Sequence, residues 1–125
     1  MIARIRGLYD AMNAGDLEAV TEMGDPDIVV VRAGGQGELH GTSAIRDWLK
    51  PDAFESQVLE PLDFEVAGDR ILVRLHSRVR GAGSGIELEI IAWSVFTFNQ
   101  EGKVSRAEVF LEHEEDEARR ALRGD

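Results

Sequence analysis

Few side chains in this sequence can move a proton near neutral pH. There are three histidines and a single tyrosine, set among 24 carboxylates and 14 lysines and arginines. His76 is the candidate general base, because an imidazole titrates close to neutrality. Tyr9, a phenol inside an apolar helical stripe, is the second candidate. His40 precedes Gly41 at a helix start and reads as a loop residue. His113 ends the last strand beside an acidic cluster, where pairing with Glu114 or Asp116 is expected. No His-x-x-x-His or His-Glu-x-x-His spacing occurs, so no metal site is expected. Gly34, Gly35 and Gly37 are not followed by the Lys-Ser/Thr of a phosphate-binding loop and read as turn residues. The chain has no cysteine, which removes thiol catalysis, disulfides and cysteine zinc sites. No cofactor is implied.

These groups must be positioned by short helices followed by long strands. Ile2, Ile5, Leu8, Tyr9 and Met12 recur at helical spacing and predict a helix over 2–13. Gly15 ends it, and Asp16 caps a second short helix carrying Leu17, Val20 and Met23. Ile28 to Val31 is a β-branched run that predicts a buried strand. Thr42 or Ser43 starts a third helix with Ile45, Trp48 and Leu49 on one side, closed by Pro51. From Leu62 on, the period is two. Turns at Gly68-Asp69, 81–85 and 99–102 divide strands over 71–80, 86–98 and 103–112, and a C-terminal helix follows. Its acidic first turn and basic last turn complement the helix dipole. Helices first and a meander of strands after them is an α+β arrangement.

Strand alternation assigns faces. Val73, Leu75 and Val79 are expected inside, which leaves Arg74, His76, Arg78 and Arg80 outside, with Arg78 and Arg80 opposite Glu87 and Glu89. A shift of one residue would instead turn His76 inward and make it available as a base. Leu88, Ile90, Ala92, Ser94, Phe96, Phe98, Ala107, Val109 and Leu111 are also expected inside. Tyr9, Met12, Trp48, Phe64, Ser94, Phe96 and Val109 are then the candidate ligand-binding residues, and Phe54 a further wall. They suit a flat or branched apolar molecule, with Tyr9, Ser94 and Arg32 as polar handles. On the outer face Ile91, Trp93, Val95 and Phe110 form an apolar patch. That patch is expected to serve a two-fold homodimer contact unless the C-terminal helix covers it.

The 125 residues fit a single domain over 1–125. A net charge of −10 disfavours nucleic-acid partners, which bind clustered lysine and arginine. No apolar run reaches the length of a membrane span, and Met1 to Leu8 lacks a signal-peptide core, so a cytoplasmic location is expected.

Three segments carry a resemblance to a known family: Tyr9-Asp10-Ala11-Met12-Asn13-Ala14-Gly15-Asp16, Gly41-Thr42-Ser43-Ala44-Ile45-Arg46, and Phe96-Thr97-Phe98-Asn99-Gln100-Glu101-Gly102-Lys103-Val104. In this order and spacing they resemble the nuclear transport factor 2-like superfamily, and within it the SnoaL-like, polyketide-cyclase-like branch. The resemblance implies a cone in which a curved antiparallel sheet wraps around N-terminal helices and encloses a ligand cavity. It also implies frequent homodimers. The fold serves isomerases, epoxide hydrolases, cyclases and non-enzymatic binding proteins, so it implies no single activity.

The chemistry of those relatives does not carry over residue by residue. Where ketosteroid isomerases of the superfamily have a carboxylate base, a tyrosine and a second aspartate, this chain has Val31, Leu8 and Ser94. Where polyketide cyclases and limonene-epoxide-hydrolase-like enzymes have an aspartate on the last strand, it has Val109. The expected function is therefore small-molecule binding without the known catalytic carboxylates. The alternatives are a lyase, isomerase or hydrolase built on His76 or Tyr9, and a structural dimerisation module.

Overall fold

A computed structural model describes residues 1–49, 54–81 and 83–124, with backbone alone at 47–49 and 54–56. Helices α1 (Ile2–Ala14), α2 (Leu17–Glu22) and α3 (Thr42–Leu49) precede most of the sheet, and α4 (Glu115–Arg123) follows it. The strands are β1 (Gly24–Val31), β2 (Glu38–His40), β3 (Phe54–Ala67), β4 (Arg70–Gly81), β5 (Glu87–Phe98) and β6 (Val104–Leu111). They form one sheet in the order β2-β1-β6-β5-β4-β3. Among the described residues no helix is long and apolar enough to cross a membrane.

The helix ends follow the sequence closely. Gly15 takes φ 71°, and its backbone N–H closes the last turn of α1; a side chain at that angle would be strained. The Asp16 carboxylate accepts from the Ala19 N–H at 3.1 Å and starts α2.

Two features depart from the expected sheet. β1 pairs parallel to β6, with Val30 opposite Ala107, while every other neighbouring pair is antiparallel. A parallel neighbour needs a long crossover rather than a hairpin, and here the crossover is the segment 32–103. Strand pairing also takes in His40, which lies on β2 opposite Val29.

β3 begins earlier than its alternating run and is an edge strand. It holds Pro61 at a register shift against β4, the place an edge strand tolerates proline. At Leu59 the free edge is closed by a side chain from α1. Asn13 Nδ2 donates to the Leu59 carbonyl at 2.8 Å, and Asn13 Oδ1 accepts from the Leu59 N–H at 2.7 Å. The amide thus takes the place of a neighbouring strand and covers part of an edge open to pairing.

The sheet has a packed core on each side. The inner core joins Ile5, Leu8 and Tyr9 of α1 to Ile71, Val73, Phe96 and Ala107 of the sheet. The outer core joins Leu72, Trp93 and Val95 to Ala118 and Leu122 of α4. α4 covers the middle of the outer apolar patch and leaves Trp93 8% and Val95 0% exposed. Ile91 and Phe110 stay half-buried at its margins. Trp93 Nε1 donates to the Glu112 carbonyl at 3.1 Å. The Arg119 guanidinium lies 5.7 Å from the Trp93 ring centre and meets Glu65 at 2.6 Å.

The β5–β6 turn is tied to the start of β1 by one residue. Asn99 Oδ1 accepts from the backbone N–H of Glu101 and of Lys103 at 2.9 and 3.0 Å, and Asn99 Nδ2 donates to Asp25 at 2.7 Å. The backbone N–H of Asp27 and the Asn99 amide hold the Asp25 carboxyl below its ordinary 3.8. A carboxyl lowered by folding contributes stability above its unfolded value and loses it as pH falls through the folded one. We predict that Asn99→Ala costs about 1–2 kcal/mol through the two turn N–H groups. We also predict that it weakens the acid dependence of stability, read by urea unfolding at neutral pH and at about pH 3.

Candidate functional site

The concave face is set by register. Directly paired residues share a face, and the rows Leu88–Val79, Ile90–Ser77, Ala92–Leu75, Ser94–Val73 and Phe96–Ile71 run across β5 and β4. β6 continues three of them with Leu111, Val109 and Ala107. β3 adds Leu59, Pro61, Phe64 and Val66. Among the described residues these inward rows carry no carboxylate and no imidazole.

Among the described residues, polarity on this face comes from buried hydroxyls and, at the exposed end, from Gln57 opposite Val79. Ser94 is 4% exposed and Ser77 is also buried. Tyr9 enters from α1, 3% exposed, with its ring edge-on to Phe96 at 6.1 Å between centroids. The Tyr9 hydroxyl is buried and has no hydrogen-bond partner among the described residues. Burial pushes the phenol well above its ordinary value, and the Ser94 hydroxyl beside it offsets only part of that shift. Ser94 is thus a neighbour that falls short of a well-formed bond. Tyr9 stays protonated at neutral pH and can act as a donor, never as a base.

Towards the open end the same face is unusually apolar for a surface. Leu88 and Ile90 point inward yet are 55% and 46% exposed, and Leu111 beside them is exposed too. Contiguous exposed aliphatic side chains mark a site that something covers. Arg32 Nη2 donates to the Gln36 carbonyl, while its Nε is buried without a partner among the described residues. Neither Arg32 nor the exposed state of Leu88 and Ile90 could be settled by alternation, which assigns a face but not what lies over it.

The expected ligand-binding set is only partly an open wall. Tyr9 and Phe96 belong to the inner core, with Met12 and Phe64 packed against it. Ser94 is buried and Val109 half-buried. The side chains of Trp48 and Phe54 lie outside the described residues. Two clefts on the described surface lie away from Tyr9 and Ser94. One, of about 410 Å³, lies between α1, α2 and the β5–β6 turn and includes Arg4, Met23 and Phe98. The other, of about 420 Å³, lies on the outer face beside α4. Tyr9 and Ser94 themselves are covered, 3% and 4% exposed.

His76 belongs to the opposite face. It pairs with Ile91, and its Nε2 lies 3.9 Å from Glu89 Oε1. Arg78 and Arg80 stand opposite Glu89 and Glu87, so the unshifted register holds and His76 faces away from the concave side. His40 lies 3.3 Å from Glu38 on the surface. His113 makes no ion pair with Glu114 or Asp116; Glu114 instead accepts from the Leu111 N–H at 2.8 Å.

The comparisons agree with this architecture. The family profile of the SnoaL-like domain matches residues 5–107. A crystal structure of a putative polyketide cyclase from Sinorhizobium meliloti is 32% identical, with a TM-score of 0.71 over 86% of this chain and 93% of that one. The epoxide hydrolase/cyclase-like enzyme SalBIII, described for pyran ring formation in the polyether salinomycin, is 23% identical with a TM-score of 0.80 over 87% and 88% of the two chains. A nuclear transport factor 2-like protein of unknown function from Burkholderia pseudomallei is 22% identical with a TM-score of 0.77 over 92% of each chain. No curated protein matches the chain. With α1, α2 and α3 packed on the inner face of one curved six-stranded sheet and the family profile spanning most of its length, the chain belongs to the SnoaL-like domain family of the nuclear transport factor 2-like fold.

Proposed function

We propose that this chain is a small-molecule-binding domain whose ligand is a flat or branched apolar molecule with one hydrogen-bond acceptor. The ligand lies against the concave face, and its acceptor meets the Tyr9 hydroxyl. The observation that carries this reading is the buried phenol, without a partner among the described residues, on the same side of the sheet as the exposed rim of Leu88, Ile90 and Leu111. A buried polar group without a partner costs about 1–3 kcal/mol. A ligand carbonyl recovers that cost once the side chains over Tyr9 move aside, and the rim supplies apolar area to bury. The absence of carboxylate and imidazole from the described inward rows favours binding over proton-transfer chemistry.

A second reading draws on the 32% identical putative polyketide cyclase: a lyase or isomerase in which Tyr9 donates a hydrogen bond to a developing oxyanion. Both readings are tested with Tyr9→Phe. The variant is expected to be at least as stable as the parent in urea unfolding, because it removes an unsatisfied buried hydroxyl. It should bind a bicyclic ketone such as 2-tetralone about tenfold more weakly in calorimetric titration, the loss of one good hydrogen bond. A clear loss of stability would mean that the hydroxyl has a structural partner. Turnover of a ketone or enol substrate by the parent, lost in Tyr9→Phe, would favour the enzyme.

A further inference from the structure

We propose that the outer face of the sheet carries a separate binding site for a small organic monoanion of carboxylate type, in the cleft bounded by β4, β6 and α4. The inference is independent of the concave-face reading. The cleft, about 420 Å³, gathers three arginines from three elements: Arg70, Arg106 and Arg120. Register explains the convergence. Arg70, Thr97 and Arg106 form one row across β4, β5 and β6, so the two arginines lie two strands apart, roughly 10 Å between backbones. Arg120 closes the third side from α4. Such a convergence is notable in a chain of net charge −10.

The three side chains are held to different degrees. Arg70 Nη1 donates to the Ala121 carbonyl at 2.7 Å, and its Nε lies 4.0 Å from the exposed Asp69 carboxylate. That bond caps the partial negative charge at the end of α4. Arg106 Nε lies 3.2 Å from Glu108 Oε1. Arg120 has no ion pair or side-chain hydrogen bond among the described residues. A guanidinium has five N–H donors in a planar fork, so most donors in the cleft are unspent. Forks of this kind match a carboxylate through paired N–H···O bonds.

The lining also selects the charge and shape of the ligand. Glu108 and Glu117 share the cleft with the three arginines, which leaves one positive charge. That balance suits a monoanion and disfavours a phosphate dianion. Phe110 and Ala121 supply an apolar surface for the body that carries the carboxylate.

Sodium benzoate is the probe, titrated into the protein and followed by backbone amide shifts in NMR. Saturable shifts are expected at Thr97, Phe110 and Ala121, with inorganic phosphate binding more weakly. Arg120→Gln, an exposed and unpartnered position, should weaken benzoate by about tenfold, the scale of a charge-assisted pair. Arg106→Gln should weaken it likewise, and Arg78→Gln, at the other end of the same face, should leave it unchanged. The proposal is overturned if benzoate gives no saturable shift or moves only concave-face amides. It also fails if phosphate binds more tightly, or if Arg120→Gln binds as the parent does.

Discussion

Truncating Trp93 to alanine is expected to destabilise the protein by about 3–5 kcal/mol, the range for removing a large buried aromatic side chain. The ring lies in the outer core with Leu72, Val95, Ala118 and Leu122. Its indole N–H donates to the Glu112 carbonyl just before α4, and Arg74 and Arg119 lie over it at 5.9 and 5.7 Å. Those cation–π contacts are partly exposed and contribute little beside the packing. Because the ring is the surface on which α4 rests, the loss should appear first in α4. Hydrogen exchange of the Ala118 and Leu122 amides should accelerate more than that of Ile71 or Val73. Urea unfolding with a loss under about 1 kcal/mol would mean that α4 is not held by this core.

Ile5→Ala is expected to cost about 2–5 kcal/mol on the inner side of the sheet. Ile5 is fully buried, 0% exposed, in the core that docks α1. Alanine is the better helix former, by a few tenths of a kcal/mol, so helix propensity opposes the loss and the net cost is one of packing. The same helix carries Leu8 and Tyr9, three and four residues further along from Ile5, so the variant should also loosen the concave face. Urea unfolding measures the stability term. Weaker binding of 2-tetralone, with α4 exchange left unchanged, would place the effect on the inner side. A loss below about 1 kcal/mol would contradict the packing assigned to Ile5.

The inward and outward residues of β4, β5 and β6 were legible because the period of two is strict once one face must be buried. That alternation placed His76 outside, and the pairing of Arg78 with Glu89 and of Arg80 with Glu87 follows it. Three things were not legible. The parallel β1–β6 pair joins segments far apart in sequence, and local pattern carries no sign of direction. The cover over Trp93 and Val95 depends on where α4 docks, and its charge pattern says only that its ends are polar. The two hydrogen bonds from Asn13 to Leu59 link a helix C-terminus to a strand edge, with no local signal beyond an amide before Gly15. At the candidate site, Tyr9 and Ser94 were found by face and type. That the phenol is buried, with no partner among the described residues, depends on packing from several elements at once.

The central claim is that a ligand acceptor meets the Tyr9 hydroxyl on the concave face. The most direct measurement is the infrared carbonyl stretch of 2-tetralone bound to the parent and to Tyr9→Phe. A hydrogen bond from a phenol in a desolvated site weakens the C=O bond and lowers its frequency. The account predicts a stretch below the aqueous value in the parent, and in Tyr9→Phe a stretch close to that of the ketone in hydrocarbon. The same frequency in both proteins would contradict it, because the bound carbonyl would then lie away from Tyr9.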